Sequence, residues 1–184
     1  MARNRAAVAV FGVGVATLSA CGAGQGCTYV TGLHDCLANA AEVTEFAKAP
    51  ADLGAKHAAR VLVSNYALLT RNAASSDLPR SEYLTAGIAP DATGVSGTFA
   101  IYSYTRQQNP HRWDSFHSDY DIEKVRHDGP DAAYVTVDIA LRGVRPSDPA
   151  RTDSYDVSTH HLRIERRAEG WLITGDDTNP GPVG

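Results

Sequence analysis

Residues 160–174 read HHLRIERRAEGWLIT. His160, Leu162 and Ile164 alternate with His161, Arg163 and Glu165, the period of two expected of a strand with one face turned to a core. Glu169-Gly170 then interrupts the pattern as a turn, and Trp171 and Ile173 resume it. The stretch therefore predicts a hairpin with arms at Asp153–Arg167 and Trp171–Gly175. Working back toward the N-terminus, Tyr134–Arg142 alternates with Val135, Val137, Ile139 and Leu141 on one face, and Ser118–Arg126 alternates through Tyr120 and Ile122. Thr98–Arg106, rich in Tyr, Phe and Ile, is predicted as a further strand. Asn109-Pro110, Asp128-Gly129-Pro130 and Pro146–Pro149 supply the loops between them.

Before residue 98 the period becomes helical. Ala58, Leu62, Tyr66, Leu69 and Ala73 form one stripe, with Arg60, Ser64 and Arg71 off it and Asp52 as the predicted N-cap. Leu37–Ala49 has helix-forming composition and ends at Pro50. The segment 78–97 holds Pro79, Pro90, Gly87, Gly94 and Gly97, and reads as loop with a short helix near Ser81–Ala86. Helices followed by a run of strands with short connections predict one α+β domain over 33–177, its antiparallel sheet covered on one face, with a frayed tail at 178–184.

The helical N-terminal third, the Ala-rich helix carrying Tyr66, and the Gly170, Trp171, Ile173 pattern resemble the cone-shaped α+β fold of the nuclear transport factor 2-like (cystatin-like) superfamily, over Leu37–Asp177. The resemblance implies N-terminal helices packed on a curved antiparallel sheet that encloses a pocket. It also implies that any chemistry uses an Asp, His or Tyr inside that pocket. Fold alone carries no reaction, since this superfamily holds isomerases, dehydratases and many non-catalytic domains.

The candidates are Asp138, His160, Tyr104 and Asp121. Asp138 interrupts an apolar strand, but its alternation with Tyr134, Thr136 and Ala140 places it opposite the valine face, as an exposed acid. His160 and His161 are adjacent on a strand, so they point to opposite faces and cannot close on one ion. His160 shares its face with Ser158, Leu162 and Ile164, which reads as a hydrogen-bonded core or pocket histidine, with general-base catalysis as the alternative. His117, Asp119 and Asp121 fall on one face at a spacing a divalent cation could use, yet one strand offers a straight row with no enclosing shell, so a solvated edge is the expectation and no metal is assigned. Nucleophile-elbow, zincin and phosphate-loop motifs are absent, and no cofactor is inferred.

The N-terminus concerns location. Arg3 and Arg5 precede Ala6–Leu18, which holds no charge and is too short for the roughly 20 residues of a membrane-spanning helix. Leu18, Ser19, Ala20 and Cys21 resemble the lipobox of bacterial lipoproteins. The resemblance implies that 1–20 is a signal peptide, that Cys21 carries a lipid such as palmitate, and that 21–32 is a tether. An ordinary signal cleaved after an A-x-A-like site is the alternative and leaves Cys21 a free thiol. Once Arg3 and Arg5 leave the 17 basic side chains, 15 face 21 acidic ones, a net of −6 that argues against a nucleic-acid partner. In an oxidising compartment Cys27 and Cys36 are expected to form one disulfide, the alternative being a buried Cys36 and a free Cys27.

These readings lead to a domain held by a lipid at the extracytoplasmic face of the cell membrane, binding an envelope protein or a small hydrophobic ligand. An acid/base enzyme of isomerase or dehydratase type, and an accessory subunit of an envelope transport system, are the rival expectations.

Overall fold

The computed structural model describes residues 38–39, 45–108, 115–145 and 148–177. The leader, Cys21, Cys27, Cys36 and the tail at 178–184 lie outside the described residues, and with them the lipidation and disulfide expectations. In chain order the elements are β1 (Ala38–Asn39), α1 (Ala55–Ser75), α2 (Arg80–Thr85), β2 (Ile88–Thr93), α3 (Val95–Gln108), β3 (Ser115–His127), β4 (Ala132–Arg145), β5 (Asp148–Arg167) and β6 (Gly170–Asp176). They make an α+β fold, with helices on one side of a curved six-stranded sheet ordered β1-β3-β4-β5-β6-β2.

The stripe of α1 behaves as its spacing demands: Ala58, Leu62, Tyr66, Leu69 and Ala73 are all sealed from solvent. Their partners are Ala133, Val135, Val137, Ile139 and Leu141 of β4 and Leu162 and Ile164 of β5, so one face of the sheet is the core face. Alanines on α1 let the helix lie close to the strands. Burial extends around α1 to Asn65, whose amide serves chain packed behind the helix: it accepts from Ala47 N at 3.0 Å and donates to Ala47 O at 2.7 Å and Ala86 O at 3.0 Å.

Five local expectations are corrected. Thr98–Arg106 belongs to α3: its aromatic and β-branched composition reads as strand, but Val95, Phe99 and Tyr102 are buried at helical spacing, and that spacing governs. The Leu37–Ala49 helix does not form where the chain is described. Residues 38–39 pair with Tyr120 and Asp119 of β3, and 46–50 run without regular structure, Ala47 bonded to Asn65 and Ala49 O accepting from Trp171 N at 2.7 Å. Backbone groups spent on distant partners cannot close helical turns. α1 begins at Ala55 after Gly54, whose carbonyl accepts from the His57 and Ala58 amides, so Asp52 does not cap it. Within 78–97 the short helix is present as α2, but Ile88–Thr93 is a strand, at the sheet edge where Pro90 is tolerated. That strand runs parallel to β6, so the sheet is mixed where purely antiparallel pairing was expected.

Candidate functional site

The core face of the terminal hairpin carries polar side chains where apolar ones would pack. His160 comes from β5 and Asp176 from the last position of β6, and both side chains are fully sealed. His160 Nδ1 lies 2.9 Å from Asp176 Oδ2. Tyr66, at the middle of α1, donates its hydroxyl to the same oxygen at 2.5 Å, and Thr98 of α3 donates to it at 3.3 Å. The other ring nitrogen of His160, Nε2, lies 2.8 Å from Ser158 Oγ. The result is a chain from Tyr66 and Thr98 through Asp176 and His160 to Ser158. Only the Ser158 end is partly open to solvent among the last three.

Each position is set by structure far away in sequence. Asp176 is held by the close approach of the turn between β2 and α3: Gly94 has φ +79°, and a Cβ there would stand 2.0 Å from the Asp176 carbonyl oxygen. Only glycine meets both conditions. Tyr66 packs its ring at 5.1 Å from Phe99 and edge-on at 5.3 Å from His160, which leaves the hydroxyl one direction to point.

The electrostatics assign the Tyr66 proton, and hydrogen-bond roles constrain the rest. Burial, then the neighbouring Asp176 carboxylate and the hydrogen bond to it, push the Tyr66 hydroxyl well above the usual tyrosine range, so Tyr66 is a neutral donor. An ionised carboxylate only accepts, so Nδ1 of His160 carries the hydrogen that faces Asp176. In neutral His160 the lone pair is then on Nε2, and the Ser158 hydroxyl donates to it. This arrangement can hold a polar atom of a small molecule at Ser158 and move a proton along the His160 ring.

Of the sequence-predicted residues, His160 alone enters the cluster. Asp138 lies on the opposite sheet face, as its alternation implies, but it is buried and not exposed, with Thr159 Oγ1 donating to it at 2.5 Å. Tyr104 stands 63% exposed on α3, away from the core face. Asp121 faces Asp138 across the β3/β4 ladder on that same outer face. His117 and Asp119 share it, and Asp119 pairs with Arg142 at 3.3 Å. Burial of Asp119 nevertheless outweighs Arg142 and His117 and raises its carboxyl. Among the described residues no three His, Cys, Asp or Glu side chains converge to hold a metal ion, and none of the helices is long and apolar enough to cross a membrane. His161 is exposed, on the face opposite His160. Asp176 has no signal in the sequence, and Tyr66, Ser158 and Thr98 register there only as positions on a helix stripe, on a strand face and at the start of a predicted strand.

No protein-family model and no curated protein matches the chain. Solved structures do resemble it in fold. One, described as a calcium/calmodulin dependent protein kinase II association domain from Xanthomonas campestris, has a TM-score of 0.44 and 16% identity over 77% of this chain and 97% of that one. A protein of unknown function with a cystatin-like fold from Nostoc punctiforme gives 0.43 and 9% over 68% and 92%. An NTF-2 like protein of unknown function from Shewanella oneidensis gives 0.38 and 14% over 65% and 98%. These likenesses concern the backbone arrangement and transfer no residue role.

Proposed function

We propose that this chain is an exported, lipid-anchored binding domain that takes a small, uncharged, largely apolar molecule at Ser158, on the core face of its sheet. The observation that carries the reading is the sealed Tyr66–Asp176–His160 network with Ser158 at its partly open end. A fully buried carboxylate is a poor route to stability, and apolar replacements of buried ionic groups are often neutral or stabilising. A buried acid and a buried histidine joined in one network point to a site. The negative charge behind Ser158 disfavours anionic ligands, while the hydroxyl suits a carbonyl or alcohol oxygen.

The anchor rests on the sequence: two arginines, a charge-free run, and the Leu18 to Cys21 tetrapeptide. In that setting the Cys27–Cys36 disulfide would clip the tether to the domain.

Two measurements test the reading. In an expressing bacterium, Cys21→Ala should move the protein from the membrane to the soluble fraction; equal retention would remove the anchor. Fluorescence titration with 2-naphthol, an apolar body bearing one hydroxyl, should saturate for the parent protein and fail for Ser158→Trp, which fills the open end. Equal titration of both would place binding elsewhere.

A further inference from the structure

Ser158, His160 and Asp176 are connected in a particular sense: the two nitrogens of one imidazole hold different partners, a carboxylate on Nδ1 at 2.9 Å and a hydroxyl on Nε2 at 2.8 Å. A serine activated by a histidine that is oriented by an acid has this wiring, and it is recognised by geometry and roles on any fold. We infer that Ser158 is a nucleophile for acyl transfer and that the small molecule the domain admits is a carboxylic ester with an apolar body. The inference rests on the reading that the core face admits a small molecule at Ser158, and it adds that the molecule is cleaved.

The parts divide the work. Ser158 and His160 sit two residues apart on one strand face, so their side chains lie side by side without help from any loop. Asp176 is a positioning residue. It keeps the hydrogen of His160 on Nδ1 and stabilises the imidazolium that forms, and it is itself fixed by Tyr66 and Thr98. Sealing of the His160 and Asp176 side chains removes water that would weaken both interactions. Ser158 is the partly exposed member of the three, so it is the end of the chain at which an ester would enter.

In the first half-reaction Ser158 Oγ bonds to the acyl carbon while its proton passes to His160 Nε2, and the carbonyl π pair moves onto oxygen. That pair returns as the carbon–oxygen bond to the alcohol breaks, and the alcohol leaves with the proton from Nε2. Water then attacks the acyl-Ser158 ester, gives its proton to Nε2, and the Ser158 oxygen departs and recovers that proton as the carboxylic acid is released. Only water and the ester are consumed.

The experiment uses the full chain in detergent extracts of expressing membranes, treated with a biotinylated fluorophosphonate and with p-nitrophenyl acetate. Peptide mass mapping should find the phosphonyl group on Ser158, and p-nitrophenol should appear in a burst approaching one equivalent. Ser158→Ala should abolish both. Asp176→Asn should slow labelling by about 100-fold or more, the lower end of what positioned general-base catalysis supplies, and should change the pH profile of labelling, which a merely structural role would not. Labelling that maps to another residue, or none on folded protein, overturns the inference. If 2-naphthol still binds in the second case, the binding reading survives and the nucleophile falls. If Ser158 labels but 2-naphthol does not bind, the nucleophile stands and the binding reading falls. Because the modified residue is mapped on unsubstituted protein, poor folding of a variant cannot mask the result.

Discussion

Tyr66→Phe removes one oxygen and keeps the ring that packs on Phe99 and His160. The lost group donates to Asp176 Oδ2 at 2.5 Å, in a place where no water can substitute, since Tyr66 is fully sealed and the Asp176 side chain likewise. A hydrogen bond to a charged acceptor contributes about 1.5–3 kcal/mol. His160 and Thr98 still donate to the same oxygen, and the phenol no longer has to be desolvated, so the lower part of that range applies, about 2 kcal/mol. For a domain of this size that corresponds to a melting temperature about 4–8 °C lower. Urea denaturation followed by far-UV circular dichroism would measure it, with Tyr66→Phe, Asp176→Asn and the double variant forming a cycle. The two changes should be strongly non-additive. A Tyr66→Phe cost under about 0.5 kcal/mol, or simple additivity, would refute the claim that Asp176 is an ion held by Tyr66. The pH dependence gives a second check. Unfolded tyrosine titrates near about 10, whereas burial and Asp176 hold Tyr66 well above its ordinary value. The folded state therefore keeps a proton that the unfolded state gives up. This contribution to stability is complete below about pH 10 and is lost as pH rises beyond it. Tyr66→Phe should flatten the alkaline fall, leaving what Tyr83, also raised by burial, contributes.

Two further outcomes follow from other contacts. Gly94→Ala forces φ +79° on a residue with a side chain and drives its Cβ onto the Asp176 carbonyl oxygen, so it should cost more than Tyr66→Phe. Gly97→Ala, with nothing within 4 Å and a place inside α3, should be neutral or slightly stabilising; equal effects of the pair in thermal melts would show that the turn does not press on β6. Asp119→Asn should raise the melting temperature at pH 7. Burial raises its folded-state carboxyl, so the carboxylate form is disfavoured on folding. Stability then falls as pH climbs from the ordinary Asp range through the raised value, and stays lower above it. The advantage of the amide should vanish near pH 3, and a variant less stable than the parent at pH 7 would mean that the Arg142 pair outweighs burial.

The fold was legible where a regular period ran long enough to name a face. Val135, Val137, Ile139 and Leu141, with Leu62, Tyr66 and Leu69 opposite, identify the two layers without any tertiary information, and the structure seals all of them. The fold is hidden where composition and period disagree, as in Thr98–Arg106, or where long-range bonds decide the backbone, as in 45–50 and Ile88–Thr93. Those bonds connect Ala49 to Trp171 and Gly87 to Ile173, separations that no local window contains.

The site lies at the same limit, and Asp176 shows why. Trp171 and Ile173 face the core, and strict alternation would then turn residue 175 inward and 176 outward. The β5/β6 ladder instead shifts register between Arg163 and Ile164, so Gly175 pairs with Arg163 and Asp176 with Leu162, a residue of the core face. The shift occurs beside the segment where β2 joins the edge of β6 and Gly94 approaches Asp176, so the parallel edge strand and the irregular ladder are found together. A bulge of this kind re-aims a side chain. Here it turns an acid, which period-two reading would leave in solvent, onto Tyr66, 110 residues earlier, and onto His160. Ser158, His160 and Tyr66 already point to the core face by period alone, and the residue that joins them arrives by breaking it.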